Sequence, residues 1–233
     1  MDKARILTYH RVGIPRTGRY ERLTVPPGRF ARQMGVMRLL RYRFSDLDAV
    51  AAWLKGEHAR IGRPVVLTFD DAYADLYDHA CPLLLGRGIP AVVFVVAGRE
   101  ADVWVDRGEN GPLPLMGWPQ VREMADAGII FGSHTLTHAR LTRCSQRELE
   151  REVADSKKMI EDRTGRQVRH FCYPYGDCDD RVVDAVREAG YVSACTTRRG
   201  AVLPGADPLR LPRLTVGKRM GMRRFLSRLM LRH

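Results

Sequence analysis

Short apolar runs alternate along this chain with stretches of helical periodicity. Seven runs read as strands, at residues 5–9, 64–69, 89–96, 129–132, 169–173, 191–195 and 209–216. Helical stretches fall between or after them, near 27–41, 46–54, 74–86, 118–127, 146–163, 179–189 and 220–231. Boundary signals support several of these. Ser145-Gln146-Arg147-Glu148 reads as a capping box, and Leu149, Val153 and Ile160 then recur on one helix face. Gly86, Gly128 and Gly190 each stand just past a helical stretch, where a left-handed residue ends a helix cheaply. Strand–helix alternation predicts βαβ units on a parallel sheet. Seven units predict an α/β fold closed, or nearly closed, into a barrel.

The stretch 98–118 breaks this rhythm with clustered Gly and Pro and with Trp104 and Trp118. A long irregular segment inside a compact domain is usually functional. The 233 residues suit a single barrel domain, here 1–217, followed by a basic amphipathic helix or tail at 218–233. No apolar run is long enough to span a membrane. The first residues lack the apolar core and small-residue cleavage site of a secretory signal, so the chain as written is expected to be cytoplasmic. Five cysteines, an odd number at scattered spacings without a CxxC pair, point to free thiols rather than a disulfide framework.

A formal charge of +12, from 39 Lys and Arg against 27 Asp and Glu, leaves several anionic partners open. No zinc-finger spacing, RNP-like strand or Gly-rich phosphate loop is present, so nucleic acid is not expected. In the tail, Phe225, Leu226, Leu229 and Met230 can form one apolar stripe flanked by Arg. Such a helix either lies peripherally on an anionic membrane or packs on the barrel.

Three segments can carry chemistry. In Val65-Val66-Leu67-Thr68-Phe69-Asp70-Asp71, an apolar strand ends in two carboxylates, where parallel α/β folds build active sites. The alternative is a helix N-cap pair. His134 and His138 follow another strand at the i, i+4 spacing that puts two imidazoles on one face of a helical turn. Alone that spacing says little; with a strand-end Asp it makes a three-ligand site with open positions, suited to Zn²⁺ or another divalent cation. Finally, a strand runs into Tyr173-Pro174-Tyr175-Gly176, a tight turn able to expose backbone N–H groups.

In this order, Thr68-Phe69-Asp70-Asp71, Ser133-His134-Thr135-Leu136-Thr137-His138 and Phe171-Cys172-Tyr173-Pro174-Tyr175-Gly176 resemble the three motifs of the polysaccharide deacetylases, the NodB-homology domain of carbohydrate esterase family 4. The flanks Leu7-Thr8-Tyr9-His10-Arg11 and Gly88-Ile89-Pro90-Ala91-Val92-Val93-Phe94-Val95 resemble the exopolysaccharide-associated subgroup. The resemblance implies a distorted seven-stranded (β/α) barrel and hydrolysis of an N-acetyl group on a sugar or glycan, including a lipid-linked or exopolysaccharide precursor. By position it makes Asp71, His134 and His138 metal ligands and Asp70 the general base. It gives the Tyr175 N–H to the oxyanion, and Tyr173 and Pro174 to the substrate side of the turn. Trp104 and Trp118 either offer faces to a sugar or pack within their loop.

The chain departs from the family pattern at four places. Ala72 stands where Gly is usual, and Ala139 where Pro is frequent. Cys172 replaces an Arg that orients the catalytic Asp, and Arg213 is the candidate substitute. The late strand carries no His to protonate the leaving amine; His10 is one candidate, and Asp70 returning the proton is the other. Two further readings compete: an amide hydrolase acting on a non-glycan small molecule, and a catalytically inactive glycan-binding domain.

Overall fold

The computed structural model describes residues 2–14, 19–57, 62–99, 103–104 and 113–230. Seven strands form its centre: β1 (Arg5–Tyr9), β2 (Pro64–Phe69), β3 (Ala91–Val95), β4 (Ile130–Ser133), β5 (His170–Cys172), β6 (Ser193–Arg199) and β7 (Leu211–Thr215). Each is parallel to its neighbours, and strands adjacent in sequence are adjacent in space. The ring closes where Leu7 and Thr8 of β1 pair with Leu214 and Thr215 of β7. A short strand, Arg43–Ser45, borders the first half of β2, and β3 borders the second half. Between β6 and β7 the register slips from Cys195↔Leu211 to Arg199↔Arg213, a bulge that distorts the barrel at its rim.

Alternation along the strands sorts the core into two clusters. Ile6, Val66, Val92, Phe94, Cys172, Cys195 and Leu211 form one cluster with Leu47, Val50 and Trp53 of the helix Leu47–Leu54. This is the barrel interior, and that helix closes one end of it. Leu7, Tyr9, Val65, Leu67, Phe69 and Val93 belong to the larger cluster beneath the surrounding helices. Both faces of each strand are therefore apolar, as usual in a helix-covered parallel sheet. Val66 and Thr68 of β2 and Asp70 just past its end share the inward period, so apolar, hydroxyl and carboxylate side chains follow one another toward the strand's carboxyl end.

Some expected elements shift for local reasons. The stretch 74–86 divides into Asp75–His79 and Cys81–Gly86, because Pro82 brings no N–H to a continuous helix. The left-handed residue after it is Gly88 (φ 58°), not Gly86. Gly128 and Gly190 do take positive φ. The capping box at Ser145 is present, but the helix behind it passes through a wide turn at Arg151–Asp155 before continuing as Ser156–Thr164.

The tail is not separate from the barrel among the described residues. Helix Met222–Met230 buries Phe225 and Leu229 in the larger core, and Tyr42 Oη donates to the Leu229 carbonyl at 2.8 Å. Half of the expected stripe is thus used in packing, while Met230 stays 55% exposed. No described helix is long and apolar enough to cross a membrane.

Candidate metal centre and catalytic pocket

The three motif segments meet at the carboxyl ends of β2, β4 and β5 by breaking regular structure. Among the described residues six non-glycine residues have left-handed φ. Five of them are here: Asp71 (73°), Ala72 (53°), Thr135 (68°), His138 (65°) and Tyr175 (62°). Each such residue costs of order 1 kcal/mol or more, and clusters of them mark functional sites. Ala72 therefore adopts the left-handed turn without the glycine that would relax it, and Met116 N–H bonding to its carbonyl at 2.8 Å holds it there. Asp70 and Asp71 cap no helix: the next one begins after Ala74 without a side-chain cap.

The left-handed step at Asp71 swings its carboxylate toward the histidines. Asp71 Oδ1 lies 3.6 Å from His134 Nε2 and 3.6 Å from His138 Nε2. The two rings stand edge to face, with centroids 4.8 Å apart. The histidine segment is not the helical turn expected from the i, i+4 spacing. It is an irregular loop, and the reversals at Thr135 and His138 bring the rings together. Ala97 and Gly98 N–H groups donate to the carbonyls of Thr135 and Leu136 at 3.0 and 2.8 Å. A Cβ on Gly98 would sit 2.7 Å from that Leu136 oxygen, so only glycine allows the approach.

His134 Nδ1 is 2.7 Å from the Cys172 carbonyl oxygen, which can only accept. Nδ1 therefore carries the proton and Nε2 presents its lone pair, the arrangement typical of metal-binding histidines. Burial pushes His134 down to about 4 and His138 down to about 3, so both imidazoles are neutral at physiological pH. Burial, followed by the neighbouring Asp70 charge, pushes Asp71 up to about 8. Asp71 Oδ1 is buried without a hydrogen-bond donor. A divalent cation would supply the positive charge and the partner that this oxygen lacks. Tetrahedral ligands at ~2.1 Å from zinc stand ~3.4 Å apart, close to both Asp71–His spacings, and all three ligand atoms lie within 4.8 Å of one another, so these residues fit the ion. Asp70, His134 and Cys172 also lie within reach of one another, but Arg213 already holds that carboxylate and that thiol.

Asp70 has a different environment. Arg213 Nη1 and Nη2 donate to its Oδ1 and Oδ2 at 2.7 and 2.8 Å, a bidentate pair 2% and 4% exposed. The same guanidinium donates to Thr68 Oγ1 (3.1 Å), the Thr196 carbonyl (2.9 Å) and Cys172 Sγ (3.1 Å). Arg213, the candidate substitute named from sequence, is thus in contact with Asp70, with the Cys172 thiol beside it. Burial alone would raise the Asp70 carboxyl, but the Arg213 charge outweighs it and holds Asp70 well below the usual range. His10 completes the group, with Nε2 4.0 Å from Asp70 Oδ2. Burial lowers its pKa, while Asp70 pulls the other way.

The Pro-Tyr-Gly turn faces the same pocket. The Tyr175 ring is 49% exposed, packs edge to face on His138 at 4.7 Å and carries the Arg140 guanidinium 4.0 Å above it. Gly176 (φ 71°) lets the turn press against Thr197, whose Oγ1 would lie 2.0 Å from an added Cβ.

Other expected contacts fall elsewhere. Tyr173 is fully buried, donating to the Leu209 carbonyl at 2.9 Å, and Pro174 is buried beside it. Trp118 is 4% exposed within the larger core, with Arg163 over its ring. As packed, neither Tyr173 nor Trp118 offers a face to a ligand arriving from solvent, because both rings are used in core contacts. The Trp104 backbone pairs with Leu113, and its side chain lies outside the described residues.

The sequence reading missed Glu152. This buried carboxylate accepts from the N–H groups of Leu136 and Thr137. A signal was available: Glu152 shares the apolar helix face of Leu149 and Val153, where a charge needs partners.

Residues 58–194 match a family model described as polysaccharide deacetylase. The chain is 29% identical over 163 residues to the poly-β-1,6-N-acetyl-D-glucosamine N-deacetylase of Staphylococcus epidermidis, covering 66% of this chain and 55% of that protein. It superposes on IcaB from Ammonifex degensii with a TM-score of 0.86 at 26% identity, over 99% of this chain and 98% of that one. For the Streptococcus pyogenes deacetylase PplD in complex with acetate, the TM-score is 0.84 at 25% identity, over 98% and 99%. The chain spans between about half and two thirds of the length of the curated relatives it matches.

Proposed function

This chain belongs to the polysaccharide deacetylase family, and we propose that it is a metal-dependent hydrolase that removes an N-acetyl group from a sugar within a glycan. One observation carries the metal reading: the buried, donor-less Asp71 Oδ1 equidistant from two neutral imidazole nitrogens. The substrate class follows from the staphylococcal relative, named for acting on poly-β-1,6-N-acetyl-D-glucosamine. An exopolysaccharide or lipid-linked precursor of that chemistry suits this chain.

Asp71, His134 and His138 would hold a divalent cation, with zinc the first candidate for this donor set. When bound, such an ion polarises an acetamide carbonyl and eases loss of a proton from water. The chain's own groups do the rest. Asp70, held in one orientation by Arg213, takes the proton as water oxygen adds to the acetyl carbon. The low proton affinity imposed by Arg213 favours passing that proton on. It goes to the sugar nitrogen as the C–N bond breaks, leaving acetate and a free amine. The delivering group is Asp70 itself, or His10, 4.0 Å from it. The Tyr175 N–H donates to the oxyanion.

The test combines metal analysis with acetate release from β-1,6-linked N-acetylglucosamine oligomers. Asp70→Asn is expected to keep its metal and lose at least ~10²-fold in rate, whereas His134→Ala loses both. A fully active Asp70→Asn would refute the base assignment. No acetate from any acetylated sugar would refute the substrate class.

A further inference from the structure

We infer that Glu152 and Ser156, on a helix that contributes nothing to the catalytic pocket, are the positioning residues that set the bite of His134 and His138. The inference rests on the metal site proposed above. Glu152 Oε2 accepts from two successive backbone donors, Leu136 N and Thr137 N, both at 2.9 Å, and Oε1 accepts from Thr137 Oγ1 at 2.6 Å. All three donors belong to the segment between the two histidines. At its other end, Ser156 and Ser133 share a hydrogen bond at 2.7 Å, and Ser133 Oγ also accepts from Thr135 N at 3.1 Å. The loop is thus gripped just before His134 and again just before His138.

The grip has a purpose because the loop is strained. Thr135 and His138 both hold left-handed φ, which is costly at a residue with a Cβ, and the local bond from His138 N–H to Thr135 Oγ1 at 2.9 Å offsets only part of that cost. Relaxing either would rotate an imidazole away from Asp71. The carboxylate suits the task because it accepts at both oxygens at once and makes charge-assisted bonds. The helix widens at this point, through the turn Arg151–Asp155 that contains Glu152, and such wide turns recur at functional sites. Glu152 touches neither proposed metal ligand through its side chain. It acts through the backbone between them, much as outer partners orient ligands in known metal sites, where their loss costs 10–100-fold in affinity.

The experiment measures Zn²⁺ affinity by competition with a chromophoric chelator, on the full chain and on variants, beside thermal melts of each in chelator alone. Glu152→Ala is expected to bind Zn²⁺ ~10–100-fold more weakly, and Glu152→Gln, which keeps an acceptor, to recover part of that loss. Val153→Ala, a neighbouring core change, is expected to lower the melting temperature without moving Zn²⁺ affinity. If Glu152→Ala does not fold, Thr137→Val, which removes the 2.6 Å bond alone, takes its place with a smaller loss expected. A folded Glu152→Ala with wild-type affinity overturns the inference, as does an equal affinity loss in Val153→Ala. If the wild type itself binds no Zn²⁺, the site reading fails and the inference falls with it. A wild type that binds beside an unaffected variant fails the inference alone.

Discussion

Replacing Arg213 by Met keeps the unbranched apolar stem of the side chain and removes the guanidinium and its charge. In the native protein the guanidinium makes two short bonds to Asp70 and one each to Thr68, Thr196 and Cys172, in a space 2% exposed. After the substitution, buried Asp70 has lost its guanidinium, and His10, 4.0 Å away, is pushed by burial toward its neutral form. Breaking a buried pair from one side costs ~3–5 kcal/mol, because the remaining charge cannot regain its hydration. The Thr196 carbonyl and Thr68 hydroxyl lose a donor as well, which puts the expectation at the upper end of that range. Urea unfolding in excess chelator is the assay, so that metal binding does not add its own stabilisation. The second half of the cycle is decisive. Asp70→Asn in the Arg213→Met background replaces a stranded anion by a neutral amide and is expected to recover ~1–3 kcal/mol. A loss below ~1 kcal/mol for Arg213→Met, or further destabilisation by the added Asn, would refute a charge-compensated pair.

Two other consequences follow from the packing. The Asp48 carboxyl is drawn down to about 2, first by His170, whose Nε2 lies 3.5 Å away, and then by Arg169, which donates to it at 2.7 Å. Its stabilisation is therefore complete above its unfolded pKa near 4 and fades as pH falls toward 2; at 42% exposure it stays below ~1 kcal/mol, and Asp48→Asn should flatten that part of an acid unfolding curve. Phe225→Ala should destabilise the whole barrel by ~3–5 kcal/mol in the same urea assay, since this ring lies in the common core; a loss under ~1 kcal/mol would mean the C-terminal helix is only loosely attached.

The sequence by itself determined the architecture. Seven apolar runs, long enough to be strands and separated by helical periodicity, predict a parallel sheet buried on both faces, and their number suggests its closure or near closure into a barrel. It also marked Asp70, Asp71, His134 and His138, since carboxylates and imidazoles directly after apolar strands stand out against their surroundings. Only the tertiary structure decided how they meet. The i, i+4 spacing of the histidines predicted a helical turn, yet left-handed backbone at Thr135 and His138 makes the site. Glu152 and Gly98, distant in sequence, hydrogen-bond to that loop from two sides. Tyr173 and Trp118 show the same limit from the other direction: an aromatic residue near a motif can face solvent or core, and the packing around it chooses. Arg213 lies between these cases. The absence of the usual Arg at position 172 announced a need for a cation, and β7, closing the ring against β1, brought one to Asp70. Residue type and strand period are local properties and can be read from the chain. Strain, partner choice and side-chain direction depend on contacts between segments dozens of residues apart, and those exist only once the barrel has closed.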